Sequence, residues 1–195
     1  MKPITFAILA AAAIAFVATP VAAQLTGGDH GADFVDAVKK SDGDKANQLL
    51  SENPKGIINA RDDDGNTALL IAVQRGDDAY TAFLLNKGAD PNLPGKGGDT
   101  PLIVAARMGY QQGVEWLIGM GAKVDAANRM GETPLITAVQ QRQTAIVRML
   151  LAAGADPDKT DTAQGFSARQ YAERDPHARD ILNLINGRKS AAAVR

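Results

Sequence analysis

A short glycine-led segment recurs every 33 residues through the middle of this sequence, at Gly65, Gly98 and Gly131. A second landmark, a Gly-Ala pair, keeps the same step at Gly88, Gly121 and Gly154. A fourth copy of the first landmark arrives one residue late, at Gly165. Two independent landmarks in phase over three copies indicate a stack of like units, in which each unit packs only on its neighbours.

Each unit carries the start and stop signals of two helices. Four hydroxyl residues can cap the first helix of a unit: Thr67, Thr100, Thr133 and Ser167. Pro101 and Pro134 follow at the first helical position, where a missing N–H costs nothing. The glycines of the second landmark can end the second helix in the left-handed conformation. The sequence therefore predicts an all-α solenoid of stacked helix–turn–helix units joined by short β-turn or hairpin loops.

The two terminal units differ from the central ones. The N-terminal unit is rich in polar residues, and its first predicted helix buries a face made of Phe34, Val35 and Val38. In the C-terminal unit we expect Asp175 and Pro176 to cap and begin a helix. The apolar side chains that this helix would bury are Ile181, Leu182 and Ile185.

The pattern divides the chain into eight segments. They are a signal peptide at 1–23, a flexible tail at 24–31, an N-terminal capping repeat at 32–61, full repeats at 62–94, 95–127 and 128–160, a C-terminal capping repeat at 161–187 and a flexible tail at 188–195.

The first segment has the layout of a bacterial secretory signal peptide. Lys2 supplies a positive start, an apolar run extends from Ile4 to Val17, and Pro20 precedes small residues. We predict cleavage after Ala23 and a periplasmic mature protein; a secreted protein is an alternative. A permanent N-terminal membrane anchor is the other alternative, although the apolar run is short for a spanning helix of about 20 residues.

These motifs resemble the ankyrin-repeat family over residues 32–187. The resemblance is carried by 64–69, 98–106 and 131–135, together with the Gly-Ala-Asp segments at Gly88 and Gly154. The histidine that usually follows the family's Thr-Pro-Leu run is absent, and Leu70, Ile103 and Ile136 stand there. Apolar packing is the expected substitute for the hydrogen bonds of that histidine. Arg142 replaces the glycine that usually follows the first helix and that Gly76 and Gly109 retain.

The resemblance implies a concave face made from turn tips and first helices, with partner recognition by residues that vary between units. Carried over unit by unit, the protein-binding residues are Asp63, Asp64, Asn66, Gln74, Arg75, Lys96, Asp99, Arg107, Met108, Arg129, Met130, Glu132, Gln140 and Gln141. This set runs from acidic in the first full repeat to more basic in the later two, which favours a partner with a polarised charge surface. Trp116 aligns with Phe83 and Met149 and is interpreted as packing between repeats, whereas Tyr110 has no equivalent and is a candidate exposed aromatic residue.

The sequence shows no catalytic or cofactor site. There are no cysteines and only two histidines, which excludes thiolate chemistry and leaves few ligands for a metal. The Asp62–Gly65 run lacks the spacing of an EF-hand, and Gly95–Gly98 lacks the Ser or Thr of a phosphate-binding loop. The formal net charge of -1 gives no reason to expect nucleic acid.

We therefore interpret the chain as a non-enzymatic protein–protein interaction module, an adaptor, regulator or chaperone-like binder acting in the periplasm. An inhibitor or immunity protein for a periplasmic toxin or hydrolase is the alternative within this class. A hydrolase with a site assembled across repeats, and an envelope component held by an uncleaved N-terminus, are alternatives of other classes. We expect a monomer with a protein partner, no cofactor, and no membrane contact after signal cleavage.

Overall fold

A computed structural model describes residues 30–53 and 56–192, with side chains as far as residue 187. The predicted signal peptide lies outside the described residues. Ten helices follow one another along the described chain: α1 His30–Lys39, α2 Gly43–Glu52, α3 Ala68–Arg75, α4 Asp78–Asn86, α5 Pro101–Met108, α6 Gln111–Gly119, α7 Pro134–Gln140, α8 Thr144–Ala152, α9 Ala168–Arg174 and α10 Arg179–Ala192.

The helices form two layers. The first helices of the units pack in the order α1, α3, α5, α7 and α9, and the second helices α4, α6, α8 and α10 pack in their own row. Each first helix also packs on the second helix of its own unit, so one continuous apolar core runs between the layers. The predicted all-α solenoid is confirmed, with isolated β-bridges at two of the turns among the described residues.

The predicted cap residues begin the first helices. The hydroxyl oxygens of Thr67, Thr100 and Thr133 each accept a hydrogen bond from the backbone N–H three residues later, at 3.2, 3.3 and 3.2 Å. Ser167 does the same in a full capping box with Gln170. These bonds satisfy N–H groups that a helix leaves unpaired at its start, and each contributes about 1 kcal/mol.

A series of hydrogen bonds links successive units through the turns that follow their second helices. In each bond a side-chain oxygen of one unit accepts from a backbone N–H of the next. The Oδ1 atom of Asn59 accepts from the N–H of Asp90 at 2.9 Å, and Asn92 accepts from Lys123 at 2.8 Å. Asp125 accepts from the backbone of the next unit in the same way. Each bond crosses from one repeat to the next, so it fixes the step between them.

The residues that replace the family's histidine are packed in the apolar interior. Leu70, Ile103 and Ile136 are buried at 1, 0 and 0% exposure. Their position is therefore filled by hydrocarbon, as expected from the sequence.

The C-terminal unit departs from the sequence expectation at its last helix. Asp175 and Pro176 do not begin that helix, which starts at Arg179. Instead, the Asp175 carboxylate accepts from the N–H of His177 at 2.9 Å and binds Arg142, so residues 175–178 form a turn. Ile181 and Ile185 are buried as predicted, and Leu182 is half-buried.

The boundaries at both ends also differ from the expected ones. Helix α1 begins at His30, two residues before the expected start of the N-terminal capping repeat. Helix α10 continues to Ala192, into the segment 188–195 that we assigned to the C-terminal tail.

The late arrival of the fourth landmark has a structural cause. The backbone N–H of Asn128 bonds the carbonyl of Glu132, four residues on, and this hairpin recurs in the first two full repeats. The N–H of Asp161 bonds the carbonyl of Phe166, five residues on, so the last hairpin is one residue longer.

Arg142 occupies a left-handed backbone position, with a φ of 54°, where the two preceding full repeats have Gly76 and Gly109 and the N-terminal unit has Ser41. Its guanidinium donates two hydrogen bonds to the Asp175 carboxylate, at 2.7 and 3.2 Å, which a glycine at this position could not make. We expect Arg142→Gly to be about 1 kcal/mol more stable than Arg142→Ala, because both lose the ion pair and only glycine relieves the backbone strain. Urea unfolding of both variants beside Asp175→Asn, which removes the ion pair alone, tests this; equal stability of the two would contradict it.

Candidate protein-binding face

Four hairpin turns precede the first helices and lie in a row. We call them tip 1, Asp62–Asn66; tip 2, Gly95–Asp99; tip 3, Asn128–Glu132; and tip 4, Asp161–Phe166. Tips 2, 3 and 4 are joined through their backbones: Arg129 donates its N–H to the carbonyl of Gly97 at 3.4 Å, and Thr162 donates to Met130 at 2.8 Å. The tips and the first helices together form one surface, which we call the inner face.

Two exposed methionines mark the inner face. Met108, at the end of α5, is 58% exposed, and Met130, in tip 3, is 51% exposed. Methionine is flexible and polarisable and adapts to irregular partner surfaces. The other predicted binding residues that are exposed are Asp63, Asp64, Gln74, Arg75, Lys96, Arg129, Gln140 and Gln141.

The predicted residues Asp99, Arg107 and Glu132 form a polar network that bridges tips 2 and 3. Arg107 Nη1 lies 2.6 Å from Asp99 Oδ2, and Asn128 Nδ2 donates to both Asp99 Oδ1 and Glu132 Oε2 at 2.8 Å. Asn128 is buried and was absent from the predicted set. Its place in the 33-residue register, shared with Asp62 and Asp161, is the sequence signal that could have identified it.

The network changes the acid–base behaviour of Asp99. Partial burial acts to raise the pKa of this carboxyl group, but the hydrogen bonds from Arg107 and Asn128 outweigh burial and lower the pKa below its ordinary value. A lowered folded-state pKa means that the ionised carboxylate stabilises the fold above about pH 4 and that this contribution is lost as the pH falls.

We therefore expect Asp99→Asn to lower the free energy of unfolding near neutral pH and to reduce its fall below pH 4. Arg107→Gln should reduce the same acid-dependent fall, because it removes the cation that favours the ionised carboxylate. Urea unfolding at several pH values measures both effects. An unchanged acid profile in both variants would contradict a stabilising role for the pair.

Arg75, also predicted for the binding face, makes contacts within the chain as well. Its Nη1 atom donates to the carbonyls of Val38 at 3.2 Å and Lys39 at 3.0 Å, and its Nη2 atom contacts Asp77. These carbonyls end α1, where a cation is favoured by the helix dipole. Arg75 therefore attaches the first unit to the second.

Two clefts open on the inner face around tip 2. One, of about 330 Å³, is lined by Asn66, Leu70, Gln74, residues 95–97, Asp99, Val104, Arg107 and Met108. The other, of about 430 Å³, is lined by Arg61, Asp63, Asp64, Gly65, Pro94, Gly95, Lys96 and Arg129. Nine of the predicted binding residues thus meet between tips 1 and 3.

A larger cleft, of about 730 Å³, lies away from the inner face between α2 and Lys87. Its lining is mostly exposed polar side chains of α2, namely Asp44, Asn47, Gln48 and Ser51. We place the candidate site at tip 2 because there the polar and apolar groups converge, whereas the α2 cleft presents ordinary solvated side chains.

The two aromatic candidates are both half-buried. Trp116 packs against the apolar core, as predicted. Tyr110 is not the free surface residue that we expected, because its hydroxyl donates to Asp78 Oδ1 at 2.6 Å. Burial and this hydrogen bond raise the Tyr110 pKa to about 12.

Within the described residues, the structure holds no group of three or more histidine, aspartate or glutamate side chains placed to bind a metal. In the same part of the chain, every helix is too short or too polar to cross a membrane.

Comparison with known families agrees with the geometry. A family model for ankyrin repeats, in three copies, matches residues 34–128, and a model for a single ankyrin repeat matches residues 130–162. Together the two matches span most of the described chain. A search of curated proteins found no match.

Proposed function

The chain belongs to the ankyrin-repeat family, whose members generally serve as non-enzymatic protein–protein interaction modules, and we propose that it binds its partner through the inner face. The observation that carries this proposal is the pair of exposed methionines, Met108 and Met130, beside the clefts at tip 2. Exposed apolar side chains among charged and amide groups are suited to burial against another protein.

The proposal is tested by capture of the partner from the cells that make this chain. The tagged chain would be compared with the triple variant Met108→Ala, Met130→Ala and Gln140→Ala, which truncates exposed side chains along the inner face. We expect the variant to lose the protein that the wild type captures, because these exposed side chains contribute contact area and lie outside the apolar core cluster.

A matched control truncates the opposite layer. The triple variant Met120→Ala, Gln112→Ala and Arg148→Ala removes exposed side chains from α6, α8 and the turn after α6; Met120 is 49% exposed. It should keep the partner. If the inner-face variant retains the partner at unchanged affinity, or the control loses it equally, the proposed face is wrong.

We further propose that the chain acts as an adaptor or regulator in the periplasm after removal of its signal peptide. The support is the sequence layout of residues 1–23. We expect the protein isolated from the periplasmic fraction to begin at Gln24, as measured by N-terminal sequencing or intact mass. A mature chain that still contains Lys2 and the apolar run, recovered with the membrane, would contradict cleavage.

A further inference from the structure

We propose that tip 2 receives an acidic side chain of the partner, so that the bound segment places an aspartate or glutamate carboxylate against the backbone of Gly95–Asp99. This inference rests on the proposed function and names the chemistry that the inner face would recognise.

Three of the four tips share the same arrangement of hydrogen bonds between a side chain and the backbone of the tip. The first residue of the tip turns its side-chain oxygen back onto N–H groups of the same hairpin. Asp62 Oδ1 accepts from Asn66 at 2.8 Å, and Asn128 Oδ1 accepts from Met130 at 2.9 Å and Glu132 at 3.0 Å. In tip 4, Asp161 Oδ1 accepts from two N–H groups at 2.8 and 2.9 Å. In each of these tips the hairpin donors are thus satisfied from within.

Tip 2 has the same hairpin but lacks the acceptor. Gly95 stands where the other tips have Asp or Asn, and its N–H still bonds the carbonyl of Asp99 at 2.9 Å. The donors that correspond to Met130 and Glu132 are the N–H groups of Gly97 and Asp99, and neither has an acceptor among the described residues. In tip 3 the corresponding two N–H groups converge on a single oxygen atom, so the N–H groups of Gly97 and Asp99 form a suitable receptor for an oxyanion.

The side chains around this receptor carry positive charge. Lys96 lies in tip 2 and Arg129 lies in tip 3, both are exposed, and neither ammonium nor guanidinium is paired with a carboxylate of the described chain. The Asp99 carboxylate is itself occupied by Arg107 and Asn128. Asp63 and Asp64 line the far side of the same cleft, so a partner carboxylate is attracted to the tip 2 side.

The space that a side chain at position 95 would occupy can also accommodate a side chain of the partner. A Cβ atom at Gly95 would lie 2.8 Å from Asn66 Oδ1 and 3.3 Å from Leu70 Cδ1. The Asn66 amide is the end of a flexible side chain and can rotate away from an incoming group. The adjoining cleft of about 330 Å³ has Leu70 and Val104 at its floor and exposed Met108 at its rim. It would hold the aliphatic part of the acidic side chain or of its neighbour.

The experiment titrates the ¹⁵N-labelled chain with N-acetyl-glutamate amide, using the neutral N-acetyl-glutamine amide as the matched probe. We expect concentration-dependent shifts of the Gly97 and Asp99 amide signals with the glutamate probe only, with a dissociation constant on the order of millimolar for one small contact. Lys96→Ala should weaken this binding roughly two- to fivefold, as expected for an exposed ion pair.

Substitutions at Gly95 separate occupation of the receptor from crowding. Gly95→Asn introduces the same neutral acceptor that Asn128 supplies in tip 3, and we expect it to abolish the glutamate-specific shifts. Gly95→Ala displaces Asn66 to a similar extent without supplying an acceptor, and it should keep them. Equal shifts with both probes, shifts at other residues only, or retention of binding in Gly95→Asn would overturn the proposal.

Failure of this inference is distinguishable from failure of the proposed function. If the native partner is lost in the methionine variant and kept in Gly95→Asn, the inner face binds the partner but tip 2 receives no carboxylate. Loss of that partner in Gly95→Asn with retention in Gly95→Ala supports the receptor directly.

Discussion

Replacing Ile136 with alanine is expected to lower the free energy of unfolding by about 2–5 kcal/mol. Ile136 is fully buried in α7 and belongs to the continuous core between the helix layers. Its truncation loses the transfer free energy of the deleted methyl and methylene groups and leaves a space that a close-packed stack fills only in part. Because each unit is stabilised by its neighbours, the loss also weakens the attachment of the C-terminal unit.

Urea unfolding followed by circular dichroism measures this effect. Met120→Ala is the matched control, since it also truncates an apolar side chain but at a site 49% exposed, and it should change stability by no more than about 0.5 kcal/mol. Similar losses in the two variants would contradict the description of Ile136 as a core residue.

The histidine variant at the same position tests the departure from the family. Ile136→His would bury an imidazole at a site with apolar surroundings, and a buried polar group without partners costs about 1–3 kcal/mol. We expect this variant to be destabilised. An increase in stability would instead mean that hydrogen-bond partners for the family's histidine are still in place.

The features that sequence could predict are those that depend on a few neighbouring residues. A hydroxyl at the start of a helix bonds an N–H three residues on, so Thr67, Thr100 and Thr133 could be assigned from their positions alone. The same holds for glycines such as Gly88 and Gly154, whose left-handed conformation ends a turn within the unit. The period of 33 then specifies the stack, because the units must cover one another's apolar faces.

The features that sequence reasoning missed depend on contacts between units. Arg75 and Arg107 lie at neighbouring positions of the 33-residue register, near the ends of α3 and α5, yet one binds the end of α1 and the other binds Asp99. The acceptors for Arg75 lie across the unit boundary, whereas Arg107 binds a carboxylate of its own repeat that Asn128 of the next repeat also binds. Asp175 followed by proline resembles a helix start, but its carboxylate is taken by Arg142 from the preceding unit.

The candidate binding site could be predicted from the sequence only in part. The face as a whole followed from the resemblance, and the exposed methionines on it could be named. The distinction of tip 2 was also present in the sequence, because Gly95 stands in register with Asp62, Asn128 and Asp161. The consequence of this glycine could not be predicted from the sequence. Only the hydrogen bonds in the other three tips show which backbone N–H groups lack an acceptor when Gly95 stands there.

Replacing Gly131 with alanine is the second substitution for which we expect a large effect, a loss of about 3 kcal/mol or more. Gly131 has a φ of 77°, and an added Cβ would lie 2.6 Å from the backbone nitrogen of Thr162 and 3.0 Å from Asp161 Cα. Those atoms are backbone and cannot rotate away. Tip 4 would have to move from tip 3, breaking the 2.8 Å bond from Thr162 N–H to the Met130 carbonyl.

Gly88→Ala is the matched control, because Gly88 has a φ of 88° but no atom within 4 Å of an added Cβ. It should cost only the backbone strain of about 1–2 kcal/mol. Hydrogen exchange distinguishes the two effects: Gly131→Ala should increase exchange at the Thr162 amide, whereas Gly88→Ala should leave that amide protected. Equal costs and equal exchange would mean that the tips are not held together through their backbones. The inner face would then lack the fixed spacing between tips 3 and 4 that its geometry implies.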